Sequence, residues 1–322
     1  MKLREVAYQA ALAAAALFAG WYFVSNAAAN LEARNIASGF AFLGREAGFE
    51  IGETTFLAYG AADSYLRALA VGVLNTFRVA AIGIVAATVL GALLGLARLS
   101  PNWLLAKLAA AYVEAIRNVP LLVQLFFWYA LISENLPGPR EALEPLAGLY
   151  LSNRGIAFPA IASWVPFALE RPALAGFNFS GGIVLTPEFS ALLAGLVSYT
   201  AAFIAEIVRA GILAVARGQV EAAQALGLAR RAALRHVIVP QALRLIVPPM
   251  TSQYLNLTKN SSLAVAIGYP DLVSIANTAI NQTGQAIEGI VVIMAVYLTI
   301  SLSISALMNW YNARFALKGT QR

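Results

Sequence analysis

"EAAQALGLARRAALRHVIVP", running from Glu221 to Pro240, is a charged island between two long apolar runs. It holds one Glu, three Arg and a His, with Gly227 near its middle. The Ala-rich first half favours helix. Gly227 suits the left-handed residue that closes one helix, and a second helix, Ala229–Val239, then leads to Pro240. The stretch reads as helix, turn, helix. Two uses compete for it. The Ala residues leave a smooth face on which a second protein packs closely, with Glu221 and the Arg residues fixing register by charge. Alternatively, a basic amphipathic element lies on anionic lipid. The residues alone leave both open.

The rest of the chain decides the solvent. Of 322 residues, 60% are hydrophobic and only 12% charged, with a mean hydropathy of +0.71. Soluble domains carry about 25% charged residues, so half that share argues for a bilayer protein. The absence of Cys excludes disulfides and thiolate metal sites, and a single His, His236, excludes a multi-histidine centre. No metal site is expected. A pI near 9.6 in such a chain sets topology; membrane lipid is expected as a partner and nucleic acid is not.

A helix needs about 20 apolar residues to cross the hydrocarbon. Hydropathy gives six candidate spans: Val6–Ala27, Ala70–Ala97, Val119–Leu136, Phe189–Val215, Ala242–Ile267 and Ile287–Tyr311. The fold class expected is all-α, a polytopic membrane protein. Gly72, Gly83, Gly91 and Gly95 of the second span permit close helix contact. Pro120 opens the third, and Trp310 and Tyr311 close the sixth as an interfacial belt would. The first run is longer than a signal-peptide core, so an uncleaved span is expected, with a cleavable signal as the alternative.

Charge orients the spans. With the N-terminus inside, the inner segments hold 14 basic residues, among them Lys2, Arg98, Arg217, Arg230, Arg231, Arg235, Lys318 and Arg322. The outer segments hold 7: Arg34, Arg45, Arg67, Arg78, Arg140, Arg154 and Arg171. Acidic residues run the other way, 12 outside against 4 inside. The Lys/Arg bias predicts both termini in the cytoplasm. The second outer loop, 137–188, is long and rich in Pro and aromatics. Its apolar stretch Ile156–Leu169 is too short to span and is interrupted by Pro159 and Pro166. It reads as an outer cap or as a docking surface for an extracytoplasmic partner. The link between spans five and six reads as short. The stretch Glu221–Pro240 falls on the inner face as the longest cytoplasmic loop.

The opening stretch resembles the EAA motif of bacterial ABC importer permeases, matching at Glu221, Ala222, Ala223, Gly227, Ile238 and Pro240. In that family the loop is a coupling helix that docks in a groove of a cytoplasmic ATPase. "RNVPLLVQ", with Arg117, Pro120, Leu121, Leu122, Val123 and Gln124, resembles the start of polar amino acid (HisMQ-like) permeases, where an amphipathic cytoplasmic helix precedes it. "SYTAAFIAEIVRAGI" and "LTKNSSLAVAIGYPDL" are similar to the same group. "YLSNRGIAFP" in the outer loop resembles the Q-type subunit of general L-amino acid or glutamate/glutamine/aspartate/asparagine importers. The resemblance implies a type I ABC importer transmembrane fold in the bacterial inner membrane, about Val71–Tyr311. It implies a division into an N-terminal helix and periplasmic segment (1–70), a permease domain (71–311) with its periplasmic loop (137–188) and coupling loop (216–240), and a cytoplasmic tail (312–322). It also implies import of polar L-amino acids, a homologous but different permease as partner in a heterodimer, two ATP-binding subunits and a periplasmic amino-acid-binding protein.

The residues agree on energy. No Gly-x-x-x-x-Gly-Lys-Ser/Thr phosphate loop is present, so the chain is expected to be no enzyme and to bind no cofactor itself, ATP and Mg sitting on the partner ATPase. Within the spans, Lys259 stands among Asn256, Thr258, Asn260, Ser261 and Ser262. Ionisable residues inside spans are costly and face a cavity or a partner, so Asn256, Lys259, Asn260, Ser261 and Ser262 are candidates for a substrate pathway; snorkelling of Lys259 to an interface is the alternative. Glu206 and Arg209, three apart, suit a structural pair. The role of Gln124 is open. An ion-coupled secondary transporter would need intramembrane carboxylates or paired broken helices, and a purely structural membrane subunit is the other competing reading.

Overall fold

The computed structural model describes residues 3–33, 38–161 and 169–315; Lys2, Arg34, Pro166, Lys318 and Arg322 lie outside them. Ten α-helices and a small β-region are described: α1 (Leu3–Ala33), α2 (Tyr65–Ala97), α3 (Trp103–Asn118), α4 (Leu121–Ser133), β1 to β8 between 143 and 185, α5 (Pro187–Leu213), α6 (Arg217–Ala225), α7 (Arg230–Ala233), α8 (Val239–Asn260), α9 (Leu272–Thr283) and α10 (Ala286–Phe315). Among the described residues four helices, α1, α2, α5 and α10, are long and apolar enough to cross a bilayer. Two bent pairs, α3–α4 at 106° and the run from Arg230 to Ile267 with α9 at 52°, raise the number to six.

α5 is the centre of the bundle. Leu192, Leu196, Ala201, Ala202, Ile204 and Ala205 are fully buried. α2 lies along it at backbone contact: a Cβ at Gly91 would stand 2.6 Å from the Ile204 Cβ, and one at Gly95 2.7 Å from the Ala205 carbonyl oxygen. In lipid, where apolar side chains gain nothing by leaving one solvent for another, such close approach supplies the packing. α4 covers a second side of α5 with Leu121 and Leu125, and α8 a third with Ala242, Ile246 and Leu257.

The third span departs from the expected Val119–Leu136. α4 has 13 residues, about 20 Å at 1.5 Å per residue, and the chain reaches it around a corner. The residue before a proline avoids helical geometry, so α3 stops at Asn118 and Val119 is extended. The Gln124 side chain closes the corner, its Nε2 donating to the Ile116 and Val119 carbonyls at 2.9 Å each. That gives Gln124 a role: it satisfies the C-terminal carbonyls of α3 from within α4.

The loop 137–188 adds β-structure to the helical bundle. β1 (Leu143–Leu146), β2 (Leu149–Ser152), β3 (Gly155–Phe158) and β8 (Ile183–Leu185) form an antiparallel sheet in the order β1-β2-β3-β8. β4 (Ala160–Ile161) pairs with β5 (Leu169–Glu170), and β6 (Ala173–Ala175) with β7 (Asn178–Ser180). Thr186 then caps α5, its Oγ1 accepting from the Phe189 N–H at 3.2 Å.

The link after the fifth span is a second difference. It carries α9, capped by Asp271, whose Oδ1 accepts from the Ser274 N–H at 2.8 Å, and closed by Gly284 in the left-handed region. α9 shares a core with Phe42, Ala47 and Ile51; Tyr65 Oη, at the start of α2, donates to Gln282 Oε1 (2.7 Å), and Gln285 Nε2, just past α9, donates to the Gly39 carbonyl (3.0 Å). Segments 38–64, 137–188 and 268–285 thus meet at one end of the bundle, with the loop 214–238 at the other.

Candidate functional site

The stretch 217–238 folds as two helices about a glycine turn. α6 ends in a complete left-handed closure. Gly227 has φ +77, its N–H donates to the Gln224 carbonyl (2.9 Å), and the Leu228 N–H donates to the Ala223 carbonyl (3.1 Å). This is the paired closure that satisfies terminal carbonyls with a glycine just past the cap. Ala223 and Ala233 are the buried residues of α6 and α7. α6 packs against α7 and the turn that follows it, whereas Glu221 and Ala222 face out. Leu226, at the turn, is 82% exposed. Among the described residues the Glu221 carboxylate has no partner. The exposed acid and the exposed leucine lie beside the exposed Arg217, Arg230 and Arg231.

The second helix, expected over Ala229–Val239, is instead the short α7 followed by a turn that passes Pro240. Leu234–Ile238 forms a π-helical turn that runs directly into α8. Proline cannot donate to the ladder and its ring strikes the carbonyl four residues back; the wider turn accommodates both, and the helix continues.

On α8 the pathway candidates divide. Asn256 and Lys259 are exposed on one face, one turn apart, with Ser252 a turn below, and Asn260 is half-buried. Lys259 has no ionic partner among the described residues. Ser261 is fully buried and its Oγ donates to the Thr258 carbonyl (2.7 Å), while Ser262 Oγ donates to the Lys259 carbonyl (2.8 Å). Both hydroxyl protons are therefore engaged by backbone, a common habit of serine in helices. Thr258 and Leu257 point into the core.

Glu206 pairs as expected with Arg209 (2.5 Å), and also with Arg98 at the end of α2. One carboxylate thus ties α2 to α5 near the 214–238 end. At the opposite end lies a buried cluster that the sequence reading missed. Arg78 Nη1 meets Glu53 Oε2 at 2.8 Å, with both side chains 9% exposed. Thr186 Oγ1 donates to Glu53 Oε1 (2.5 Å). Asn75 Nδ2 donates to the Glu53 carbonyl (3.0 Å) and the Pro270 carbonyl (2.9 Å). The Arg78 guanidinium also lies 4.1 Å from the centre of the Phe189 ring. Arg78, counted from the sequence with the outer segments, sits inside α2. An arginine within an apolar run demands a partner, and that was the available signal. No group of three or more His, Cys, Asp or Glu side chains converges as a metal site among the described residues.

A family model described as "Binding-protein-dependent transport system inner membrane component" matches residues 87–317. The sequence is 49% identical to the putative amino-acid ABC transporter permease protein YhdX of Escherichia coli K12, over 92% of this chain and 90% of that one. It is 43% identical to the general L-amino acid transport system permease protein AapQ of Rhizobium johnstonii, over 98% and 93%. The fold matches a chain of a crystal structure of an amino acid ABC transporter with histidines, with a TM-score of 0.56 and 26% identity over 78% of this chain and 95% of that one.

Proposed function

Because the chain belongs to the family of binding-protein-dependent transport system inner membrane components, we propose that the exposed element 217–238 is its contact with an ATPase and that α8 carries part of its substrate route. The chain is a multi-pass inner-membrane permease subunit of an amino-acid ABC importer, and ATP hydrolysis lies on partner subunits. The finer assignments are our reading. The subunit pairs with a homologous but different permease, two ATP-binding subunits carry ATP and Mg on the cytoplasmic side, and a periplasmic binding protein delivers the amino acid. The likeness to AapQ, and to a glutamate/glutamine/aspartate/asparagine permease at 36% identity over 92% of this chain, favours polar L-amino acids as the cargo.

One observation carries the coupling assignment. The Glu221–Leu226 surface is held by a buried alanine and a formed glycine closure, yet turns its carboxylate and its leucine outward. The pathway assignment rests on the open Asn256–Lys259 face. Copurified complex, reconstituted with binding protein loaded with each amino acid in turn, should hydrolyse ATP faster with polar cargo. In the same vesicles Lys259→Ala should cut uptake several-fold at unchanged subunit levels. Stimulation by no amino acid would refute the importer assignment for this cargo. Unaltered uptake kinetics in Lys259→Ala would remove Lys259 from the route.

Orientation follows from the charge asymmetry, and the Cys-free sequence makes it easy to read. Single cysteines at Arg154 and Arg231 should react with a membrane-impermeant maleimide from opposite sides, Arg154→Cys from the periplasm. Labelling of both from the periplasm would invert or break the topology.

A further inference from the structure

Four helices border an open groove of about 470 Å³ on the flank of the bundle. Leu96 of α2, Ile212 of α5, Val239 of α8 and Tyr311 of α10 line it nearest the 214–238 end. Along α8 it runs from Val239 to Met250, about 16 Å at 1.5 Å per residue. That is close to half of the roughly 30 Å hydrocarbon thickness, the depth of one leaflet. Its walls are almost wholly apolar. The hydroxyls at its deep end are engaged with each other and with backbone. Thr88 Oγ1 donates to the Ile84 carbonyl (2.7 Å), so Tyr254 Oη supplies the proton in its 3.0 Å contact with Thr88.

The groove lies away from the route assigned to α8. Its α8 residues Leu243, Val247, Met250 and Tyr254 recur every three or four positions. The stripe of Ser252, Asn256 and Lys259 is two positions out of phase, about 200° round a helix of 3.6 residues per turn. A zwitterionic amino acid finds no partner in the groove, whereas an extended hydrocarbon chain needs none.

The end of the groove nearest 214–238 is basic. Arg235 stands one turn before Val239, and Arg314 three residues past Tyr311 on the same face of α10. Both are exposed, and neither meets a carboxylate among the described residues. Arg98 and Arg209 are already held by Glu206. The Arg314 guanidinium lies 5.5 Å from the centre of the Trp310 ring, and indole rings settle at headgroup level. An apolar slot one leaflet deep, with unpaired cations where headgroups begin, matches both ends of an anionic phospholipid.

We propose that the groove binds one anionic phospholipid, with an acyl chain along Val239–Met250 and the phosphate against Arg235 and Arg314. The lipid joins α10 to α2, α5 and α8 through space that no side chain fills. Which leaflet supplies it rests on the orientation proposed above.

The test uses the complete complex in detergent, titrated with dioleoyl phosphatidylglycerol or dioleoyl phosphatidylcholine and weighed by native mass spectrometry. Each copy of this chain should retain one phosphatidylglycerol, at about fivefold or more lower lipid concentration than phosphatidylcholine, two cations facing one phosphate. Ala92→Phe fills the groove and should abolish retention of either lipid. Arg235→Gln/Arg314→Gln should keep a lipid and lose the preference. Leu302→Phe, exposed on α10 outside the groove, should change neither. If Ala92→Phe fails to assemble, Met308→Trp fills the groove from the α10 side and decides. A photo-crosslinking residue in place of Leu243 should capture phospholipid; capture of the second permease would put protein in the groove and overturn the proposal. Equal retention of the two lipids by the unaltered chain, or phosphatidylglycerol that survives a filled groove, would overturn it as well. Thiol labelling at Arg154→Cys and Arg231→Cys reports orientation separately. An inverted result there reassigns the leaflet, and the lipid preference still decides the site.

Discussion

Gly227→Val should leave the spans inserted while ATPase capture and uptake fall by about tenfold or more, and Gly227→Asn should remain close to wild type. The reason is backbone geometry alone. Gly227 has φ +77 and nothing lies within 4 Å of a Cβ built there, so no clash is at stake. A residue with a side chain pays about 1–2 kcal/mol in the left-handed region; asparagine tolerates it and a β-branched residue does not. Gly227→Asp should fall between. Losing the closure frees the carbonyls of Ala223 and Gln224 and splays α6 from the π-turn, which moves Glu221 and Leu226 off their shared surface. Glu221→Ala should weaken capture without disturbing the fold, since among the described residues the side chain has no partner and it acts across an interface. A lipid-lying element predicts the reverse. Arg230→Ala/Arg231→Ala would then be the damaging change, and Glu221 and Gly227 would be nearly silent. Pull-down of the ATPase by each variant beside uptake decides, and a loss confined to the double Arg variant would end the coupling assignment.

What the sequence disclosed follows a physical division. Helix, glycine turn and helix at 217–238 were legible because they rest on local terms, Ala propensity and a glycine at the cap. The Glu206–Arg209 pair was legible because three residues is one helical turn. Arg98, which joins it, comes from another helix, and no spacing in the chain reports that. α9 escaped because 12 residues fall short of a span and hydropathy was the measure used; its caps, Asp271 and Gly284, were in plain view. The sheet of 137–188 escaped because strands of three or four residues carry too little alternation to register. The second helix was expected to span Ala229–Val239 and lead to Pro240, and the π-turn that carries the chain on into α8 has no signature in local spacing. The hydroxyls of Ser261 and Ser262 were plausible ligands by type, but a helix offers serine its own carbonyls, and there the protons went.

The Glu53–Arg78 pair carries the largest stability expectation. Glu53→Gln should lower the stability of the assembled permease by about 3–5 kcal/mol, the usual cost of stranding one buried charge. Both side chains are 9% exposed, so solvent gives the abandoned guanidinium little relief. The substitution is nearly isosteric. Its amide oxygen still accepts from Thr186, and the Glu53 carbonyl still accepts from Asn75. What is lost is the charge and the acceptor that meets Arg78, where the amide NH2 now sets a donor against a donor. The same carboxylate joins residues 38–64, α2 and the cap of α5, so the damage should spread. Thermal unfolding in detergent should shift sharply, and the cap of α5 should lose amide-exchange protection first, since Thr186 donates to the altered group. Replacing both partners, as Glu53→Gln/Arg78→Met, removes the stranded charge, and well-packed neutral pairs often match a buried ion pair in stability. The double variant should recover more than half of the single variant's loss, a coupling that a mutant cycle reads directly. Additive losses, or a Glu53→Gln protein as stable as wild type, would mean that the two side chains do not meet in the assembled transporter.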